Sequence, residues 1–251
     1  LYAGTETGMY VSFDSGENWQ PFQLNLPIVP ITDLAIKDDN LIAATQGRSF
    51  WIIDDLSILH QLQDSLKSAA FHLFQPMDNY RMGGGQSKAA GKTTGRNRMG
   101  GVPVYFYLKE APADSVKVTL SFMEEDGDLI MTYSNKPDKK LEEQKLPELK
   151  TGGNIVAWNM VYKGAKRFDG MVLWWAGLGG PTAVPGNYQV QLSIGDKIQS
   201  QNFKILKDPR TEASLEDMQA QFSFITDVNS KVTEAHQAII DLRDIRKQVQ
   251  Q

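Results

Sequence analysis

Short runs of alternating apolar and polar residues fill the first part of the chain, from residue 1 to about 55. Each run is bounded by Gly, Asp or Asn and is rich in β-branched and aromatic side chains. Such runs are typical of antiparallel strands joined by tight turns. The runs are LYAGTE, GMYVSFD, WQPFQL, ITDLAIKD, NLIAATQG and SFWIIDD. We therefore expect the chain to begin with short antiparallel strands.

Two segments of this region resemble each other, LYAGTETGMYVSFD and LIAATQGRSFWIID. Both begin with an apolar strand and small residues, pass through Thr and a Gly-containing turn, and end in an aromatic-rich strand followed by Asp. An internal repeat of this kind is expected at the boundary between blades of a β-propeller. We predict that residues 1–60 are strands of one or more terminal propeller blades.

The pattern then becomes helical. Leu56, Leu59, Leu62 and Leu66 recur at steps of three and four, which predicts a short helix within residues 56–70. His60 lies in this stretch and is expected to be a surface or interface residue. We therefore assign residues 61–101 to a helical linker followed by a Gly-rich loop, with FHLFQP as the first strand of the next unit.

The Gly-rich loop, residues 81–101, is basic throughout and contains no acid. It does not match the Walker phosphate-binding pattern, because the position that needs Gly is Gln86. Solvation of its cations is the default interpretation. The alternatives are an anionic ligand or an acidic surface of a neighbouring domain, and the candidate residues are Arg81, Lys88, Lys92, Arg96 and Arg98.

Longer alternating runs follow between Val102 and Leu206. Two of them are interrupted by hairpin signals, one at Asp126 and Gly127 and the other at Gly195 and Asp196. About seven strands in roughly a hundred residues are typical of a two-sheet sandwich of the immunoglobulin or fibronectin kind. We therefore predict an Ig-like β-sandwich over residues 102–208.

Three tryptophans in this region are candidate ligand-contacting or interface residues: Trp158, Trp174 and Trp175. The run MVLWWAG is predicted to be a strand, so the adjacent Trp174 and Trp175 would point to opposite faces. One would fill the core and the other would face outwards. An exposed ring suits stacking on a sugar, but we favour burial against the propeller or the C-terminal helices.

Residues 209–251 have an amphipathic helical pattern, in which apolar residues recur at steps of three and four from Leu215 to Val249. Ser214 is the predicted N-cap, with Asp217 at the capping-box position. The pattern fits one helix or a helical hairpin with a break near DVNSK. We expect its apolar stripe to be a packing face.

The amino-acid composition excludes several kinds of functional site. The chain has 251 residues, no Cys, three His and a net charge of −4, which excludes disulfides and thiol nucleophiles and argues against nucleic-acid binding. No apolar run approaches the length of a membrane span. No metal site, cofactor or catalytic residue is predicted. The acids of EEDGD and KKLEEQK are expected to be solvated.

The stretch SFDSGENW joins two of the first strands. Gly16 suits a positive φ, Asp14 can accept backbone hydrogen bonds, and Trp19 can pack over the hairpin. A calcium loop would need further acidic ligands, and a glycosidase would need a second carboxylate. We therefore interpret DSGEN as a structural turn.

Ser12, Asp14, Gly16 and Trp19 match the Asp-box pattern S-x-D-x-G-x-x-W. With the strands around them they resemble the closing blades of BNR-repeat, sortilin-like propellers in bacterial proteins often labelled glycosyl hydrolases. The resemblance covers about the first quarter of the chain and implies a fold-stabilising turn remote from any active site. The segment VPGNYQVQLSIGDK is similar to a hairpin of FlgD-like and related bacterial Ig-like domains.

We therefore expect a mainly β chain: partial β-propeller blades, an Ig-like β-sandwich and a C-terminal amphipathic helix or helical hairpin. Our first hypothesis is the non-catalytic scaffold or binding portion of a larger exported protein. The rest of the propeller would lie upstream, and a protein or glycan would be the ligand. The alternatives are a glycoside hydrolase whose catalytic acids lie upstream, and a carbohydrate-binding β-sandwich.

Overall fold

Residues 1–63 form a compact unit of two three-stranded antiparallel sheets, seen in a computed structural model that describes residues 1–82, 95, 98–175 and 177–250. Each of the six predicted strand runs contains a strand. The first sheet has β1 (Tyr2–Gly4), β2 (Met9–Val11) and β3 (Gln20–Pro21), and the second has β4 (Ile31–Lys37), β5 (Asn40–Thr45) and β6 (Phe50–Ile53).

The two predicted repeats close their hairpins in the same way. The backbone N–H of Thr5 donates to the carbonyl of Gly8 at 2.9 Å, and that of Thr45 donates to Ser49 at 3.2 Å. In both repeats the Thr hydroxyl donates to the same carbonyl. The core of the unit consists of Met9, Leu26, Leu41, Ala43 and Leu56. The sequence repeat is thus a repeat of local structure.

The predicted helix of residues 56–70 is reduced to two short turns. Helix α1 is Ser57–His60, and a 3₁₀ turn follows at Asp64–Lys67. Leu56 is fully buried in the first unit, whereas Leu62 is exposed, so the apolar spacing does not build one continuous helix face.

The second unit, residues 64–251, has one sheet of six strands and one of three. The six-stranded sheet has the order β12, β11, β10, β14, β15, β8, and the three-stranded sheet has the order β13, β9, β7. The bounds are β7 Phe71–Leu73, β8 Asn79–Arg81, β9 Val102–Leu108, β10 Val118–Glu124, β11 Leu129–Ser134, β12 Gln144–Lys145, β13 Gly152–Trp158, β14 Gly186–Ile194 and β15 Lys197–Lys207.

Two strands of these sheets lie in the segment predicted as a linker. Strand β7 pairs with β9, as expected for FHLFQP, and β8 runs parallel to β15 at the edge of the large sheet. Both predicted hairpins are confirmed, since β10 pairs with β11 and β14 with β15. Residues 61–101 therefore contribute to the second unit on both of its sheets.

Alternating residues of both sheets share one hydrophobic core. On β10 the inward residues are Val118, Leu120 and Phe122, and all are fully buried. Trp158, also fully buried, stacks on Phe122 with ring centroids 5.0 Å apart. A bulky aromatic centre therefore joins the two sheets.

The chain ends in one helix, α2 (Leu215–Val249), of 35 residues. Of the two predicted alternatives, the structure shows the single helix without a break. The predicted capping box is confirmed: Ser214 Oγ accepts from the Asp217 N–H at 3.0 Å, and Asp217 Oδ2 accepts from the Ser214 N–H at 2.8 Å. Met218 is the buried residue of this helix, so most of it lies on the surface. The observed fold is mainly β with a C-terminal helix.

Candidate functional site

The Asp-box residues form a turn that closes on itself. Ser12 Oγ donates to Asp14 Oδ1 at 2.8 Å and accepts from the Gly16 N–H at 2.8 Å. Asp14 also accepts from the backbone and side-chain nitrogens of Asn18, at 2.9 and 2.7 Å. Trp19 Nε1 donates to the Gly16 carbonyl at 3.1 Å, and Gly16 has a φ of 99°.

The electrostatics of the turn follow from these bonds. The hydrogen bonds from the backbone and side chain of Asn18, and then the one from Ser12, lower the pKa of Asp14 to about 2. Every partner of this carboxylate lies within four residues of it. The arrangement stabilises a tight turn, and among the described residues the hydrogen-bond partners of Asp14 are Ser12 and Asn18, so its geometry is that of a structural element.

The three candidate tryptophans lie in different environments. Trp158 is fully buried, and its Nε1 donates to the Val161 carbonyl at 3.1 Å, so it cannot contact a ligand. Trp174 and Trp175 are 89% and 96% exposed. The described residues of their segment MVLWWAG, 171–175 and 177, are not in a strand, contrary to the sequence prediction, and neither ring fills the core.

The exposed pair belongs to a long loop, residues 165–178, which we call the Trp loop; Ala176 lies outside the described residues. Its stem begins at an isolated bridge between Val161 and Thr182. The Ala165 N–H then donates to the Leu178 carbonyl at 3.1 Å. A Cβ at Gly164 would lie 1.7 Å from that same carbonyl oxygen, so the close approach requires glycine.

Helix α2 holds the first part of the Trp loop at Lys166. The Lys166 N–H donates to Thr233 Oγ1 at 3.0 Å, and its carbonyl oxygen lies 2.5 Å from His236 Nδ1. His236 thus contacts the loop backbone. Its ring also packs edge-on against Phe168 at 5.0 Å.

A second contact lies further along the helix. Arg243 Nη1 donates to the Asp169 carbonyl at 2.6 Å, and its guanidinium lies 4.8 Å from the centre of the Phe168 ring. At the other side of the loop, Asn229 Nδ2 donates to the Gly179 carbonyl at 3.0 Å. The helix therefore fixes the backbone on both sides of the exposed tryptophans.

The second candidate surface of this unit is a cleft of about 420 Å³, which we call the ring-lined cleft. Strand ends, the Trp-loop stem and helix α2 all contribute to it. Its rings are Tyr162, Tyr188 and Phe222, and its polar groups are Glu124, Glu125, Asp126, Asn187 and Gln219. A further concavity of about 480 Å³ shares Glu125, Asn187 and Tyr188 with it.

Glu124 is the central polar residue of the cleft. It lies opposite Tyr188 in the pairing of β10 with β14, and it accepts a hydrogen bond from the Tyr162 hydroxyl at 2.7 Å. Burial raises the pKa of Tyr162 well above its usual range, and the bond to Glu124 adds to this shift. Phe222 packs edge-on against Tyr162 at 4.8 Å. The rings are therefore held in place by one another and by a carboxylate.

Sequence reasoning missed this cleft. It assigned Glu124 to a solvated hairpin tip, whereas the residue is half-buried in the last position of β10. The sequence did contain a sign of this, because side chains alternate between the two faces of a strand and Glu124 is on the same face as Leu120 and Phe122. The spacing gave no sign of Tyr162 or Phe222 as its neighbours.

Two of the five candidate basic residues can be located. Arg81 ends β8 and points Nη2 at Gln221 Oε1, 3.5 Å away, and among the described residues its buried Nε has no hydrogen-bond partner. Arg98 Nη2 lies 3.6 Å from the sulfur of Met77. Lys88, Lys92 and Arg96 lie outside the described residues.

Within residues 1–82, 95, 98–175 and 177–250, no cluster of three or more His, Cys, Asp or Glu residues is arranged to hold a metal ion. No helix there has the length and apolar character needed to cross a bilayer.

Comparison with protein-family models, with curated proteins and with solved structures found no match to this chain. The resemblance of the first quarter to BNR-repeat propellers therefore stays a prediction that rests on the residues themselves. The same holds for the Ig-like assignment of residues 102–208.

Proposed function

We propose that this chain is the non-catalytic binding portion of an exported BNR-repeat propeller protein, and that it binds a neutral glycan in the ring-lined cleft. The observation that carries the proposal is the cleft itself, where three aromatic rings and several hydrogen-bonding side chains line a volume of about 420 Å³. That volume lies within the range of roughly 300–1,000 Å³ that small-molecule sites occupy.

The rings supply the apolar part of such a site. A sugar ring presents one face of C–H groups, which packs favourably on a flat aromatic surface. Tyr162 and Phe222 are held edge to face, and Tyr188 is fixed by its hydroxyl, which donates to the Val184 carbonyl at 2.6 Å. Fixed rings lose little conformational entropy when a ligand packs on them.

The polar groups supply partners for sugar hydroxyls. Within the described part of the chain, Glu124 Oε2 and the Gln219 side-chain amide make no hydrogen bond. Asn187 uses its Nδ2 on Glu125 Oε1 at 3.1 Å and keeps its Oδ1 available. These groups offer both acceptors and donors, as a ligand that carries several hydroxyls requires.

The strands and sheets of the two units support the propeller and Ig-like parts of the proposal. The Asp-box turn lies between strands of a three-stranded antiparallel sheet, and a second such sheet repeats its hairpin closure. We assign these strands to propeller blades. In the second unit, two sheets over one core support assignment to an Ig-like sandwich, which would carry the cleft at its edge.

The test is affinity electrophoresis of the whole chain in gels that contain neutral polysaccharides such as xylan, mannan or mixed-linkage glucan. We expect retardation by at least one of them. Gln219→Ala, an exposed helix position, should weaken binding about three- to tenfold because one hydrogen bond to the ligand is lost. Gln248→Ala, an exposed glutamine elsewhere on the same helix, should leave it unchanged.

A gel that contains chitosan distinguishes a neutral glycan from a cationic ligand. The carboxylates of the cleft would also attract an organic cation, so retardation by cationic chitosan alone would replace the neutral glycan with a cationic ligand. Absence of retardation by every neutral polysaccharide contradicts the proposal.

A further inference from the structure

The tip of the Trp loop is a continuous apolar projection. Val172, Trp174 and Trp175 are 78%, 89% and 96% exposed, and Leu173 is exposed between them. Four consecutive exposed apolar side chains are unusual on a protein surface, and such a patch marks contact with another apolar phase or surface. The tip therefore has a chemistry distinct from that of the ring-lined cleft.

Arg167 is a cationic residue close to the tip. Arg167 lines a depression of about 480 Å³ together with Met171 and Leu173 of the same loop. Lys166 is the preceding residue, and Arg243 approaches from helix α2. Of the acids near Arg243 on the helix, Asp244 lies 3.6 Å from Lys247, whereas Asp241 accepts from the neutral amide of Gln237 at 2.7 Å, which does not offset its charge.

Asp169 is the acid of the depression itself. Lys166, Arg167 and Arg243 outnumber Asp169 and Asp241, so the base of the tip carries a net positive charge. An apolar tip above a positive base matches the layers of an anionic lipid surface, where negative headgroups lie above an apolar interior.

We propose that the Trp loop docks on an anionic lipid surface. Trp174 and Trp175 enter the boundary between headgroups and acyl chains, the region where indole rings are enriched in membrane proteins. Val172 and Leu173 enter with them, and Arg167 pairs with a lipid phosphate at the level of its depression. This contact is peripheral and independent of the glycan cleft.

The bracing of the loop favours this use. Contacts from Thr233, His236 and Arg243 fix the backbone at Lys166 and Asp169, before the tip, so less backbone freedom has to be lost when the tip binds. A sugar-stacking site would instead place polar side chains beside the rings, whereas the side chains of residues 172–175 offer only the two indole N–H groups. The composition of the tip therefore favours lipid over glycan.

The experiment is co-sedimentation of the whole chain with vesicles of phosphatidylcholine alone and of phosphatidylcholine with phosphatidylglycerol. We expect binding to the mixed vesicles that falls as salt is raised. Trp174→Ala combined with Trp175→Ala should lower partitioning about tenfold or more, because burial of two indoles is lost. Arg167→Glu should weaken binding to the anionic vesicles and have little effect on the neutral ones.

Phe224→Ala is the matched control, since Phe224 is 69% exposed on helix α2 outside the tip. It should bind as the unchanged chain does. Equal binding by the double Trp variant, or no binding of the unchanged chain to the mixed vesicles, overturns the proposal. Self-association in solution that the double Trp variant abolishes, without vesicle binding, would assign the tip to a protein partner. The gel experiment tests glycan binding in the cleft and the vesicle experiment tests lipid docking of the Trp loop, so either proposal can fail without the other.

Discussion

The Asp-box turn and the Trp loop both carry conspicuous tryptophans, but they are stabilised in opposite ways. In the turn, Asp14 has every partner within four residues along the chain. In the loop, the contacts of Lys166 and Asp169 with helix α2 span 67 to 74 residues. The turn is therefore a local structure, whereas the conformation of the loop depends on the docking of a distant helix.

The difference separates a structural element from a recognition element. A turn that satisfies its own hydrogen bonds has little left to offer a partner, and its indole N–H is used on Gly16. The Trp loop uses its backbone for fixation and leaves four apolar side chains exposed. Changes at the loop stem should thus alter the second unit broadly, while changes in the turn should stay within the first.

The largest effect is expected from Gly164→Ala at the loop stem. The new Cβ would lie 1.7 Å from the Leu178 carbonyl oxygen, so two backbone segments must separate. We expect the free energy of unfolding of the second unit to fall by about 3 kcal/mol, the upper end for overpacking. Denaturant unfolding followed by tryptophan fluorescence measures this, because Trp158 passes from a fully buried to a solvated environment.

Gly153→Ala is the control for that change. A Cβ at Gly153 meets no atom within 4 Å, so its substitution should shift unfolding much less. An equal effect of the two substitutions would mean that the close stem does not hold the loop.

A smaller and more local effect is expected from Ser12→Ala in the Asp-box turn. Ser12 is 2% exposed, and its hydroxyl bonds both Asp14 and the Gly16 N–H. Loss of these bonds should lower the stability of the first unit by about 1–2 kcal/mol. Hydrogen exchange should accelerate in residues 12–19 and stay unchanged in the Trp loop.

Thr7→Ala, an exposed hydroxyl with a weak 3.4 Å contact to Thr5, is the matched control and should change stability by less than about 0.5 kcal/mol. Faster exchange in the Trp loop of the Ser12→Ala variant would contradict the independence of the two regions.

The distinction between local and long-range contacts also explains which features could be predicted from the sequence. The strands of residues 1–55, the hairpins at Gly127 and Gly195 and the capping box at Ser214 all depend on residues a few positions apart, and the structure confirms them. Local turn chemistry and the period of two are sufficient there.

The Trp loop and the ring-lined cleft could not be predicted from such local patterns. The apolar run MVLWWAG has the composition of a strand, but it lies in a loop whose preceding residues, Lys166 and Asp169, are held by Thr233, His236 and Arg243. In the cleft, the alternation on β10 points Glu124 inwards, but its partner Tyr162 is 38 residues away. Such neighbours are set by tertiary packing, which spacing does not encode.

The smallest expected effect is the acid sensitivity of the Asp-box turn. The hydrogen bonds that lower the pKa of Asp14 to about 2 from its usual 3.8 favour the charged carboxylate in the folded state. A lowered pKa contributes stability above the unfolded value, and this contribution is lost as the pH falls through the folded value. We therefore expect the first unit to weaken between about pH 4 and pH 2.

Asp14→Asn tests this because it removes the titrating group and keeps the shape of the side chain. Its first unit should be less stable at pH 6 and less sensitive to acid. Asp208→Asn is the matched variant in the second unit, where Arg210 lowers the pKa of Asp208 to about 2. It should leave the acid response of the first unit unchanged. If residues 12–19 of the Asp14→Asn variant still lose exchange protection between pH 4 and pH 2 as the unchanged chain does, the turn does not depend on its carboxylate, and its closure must come from Ser12 and the backbone.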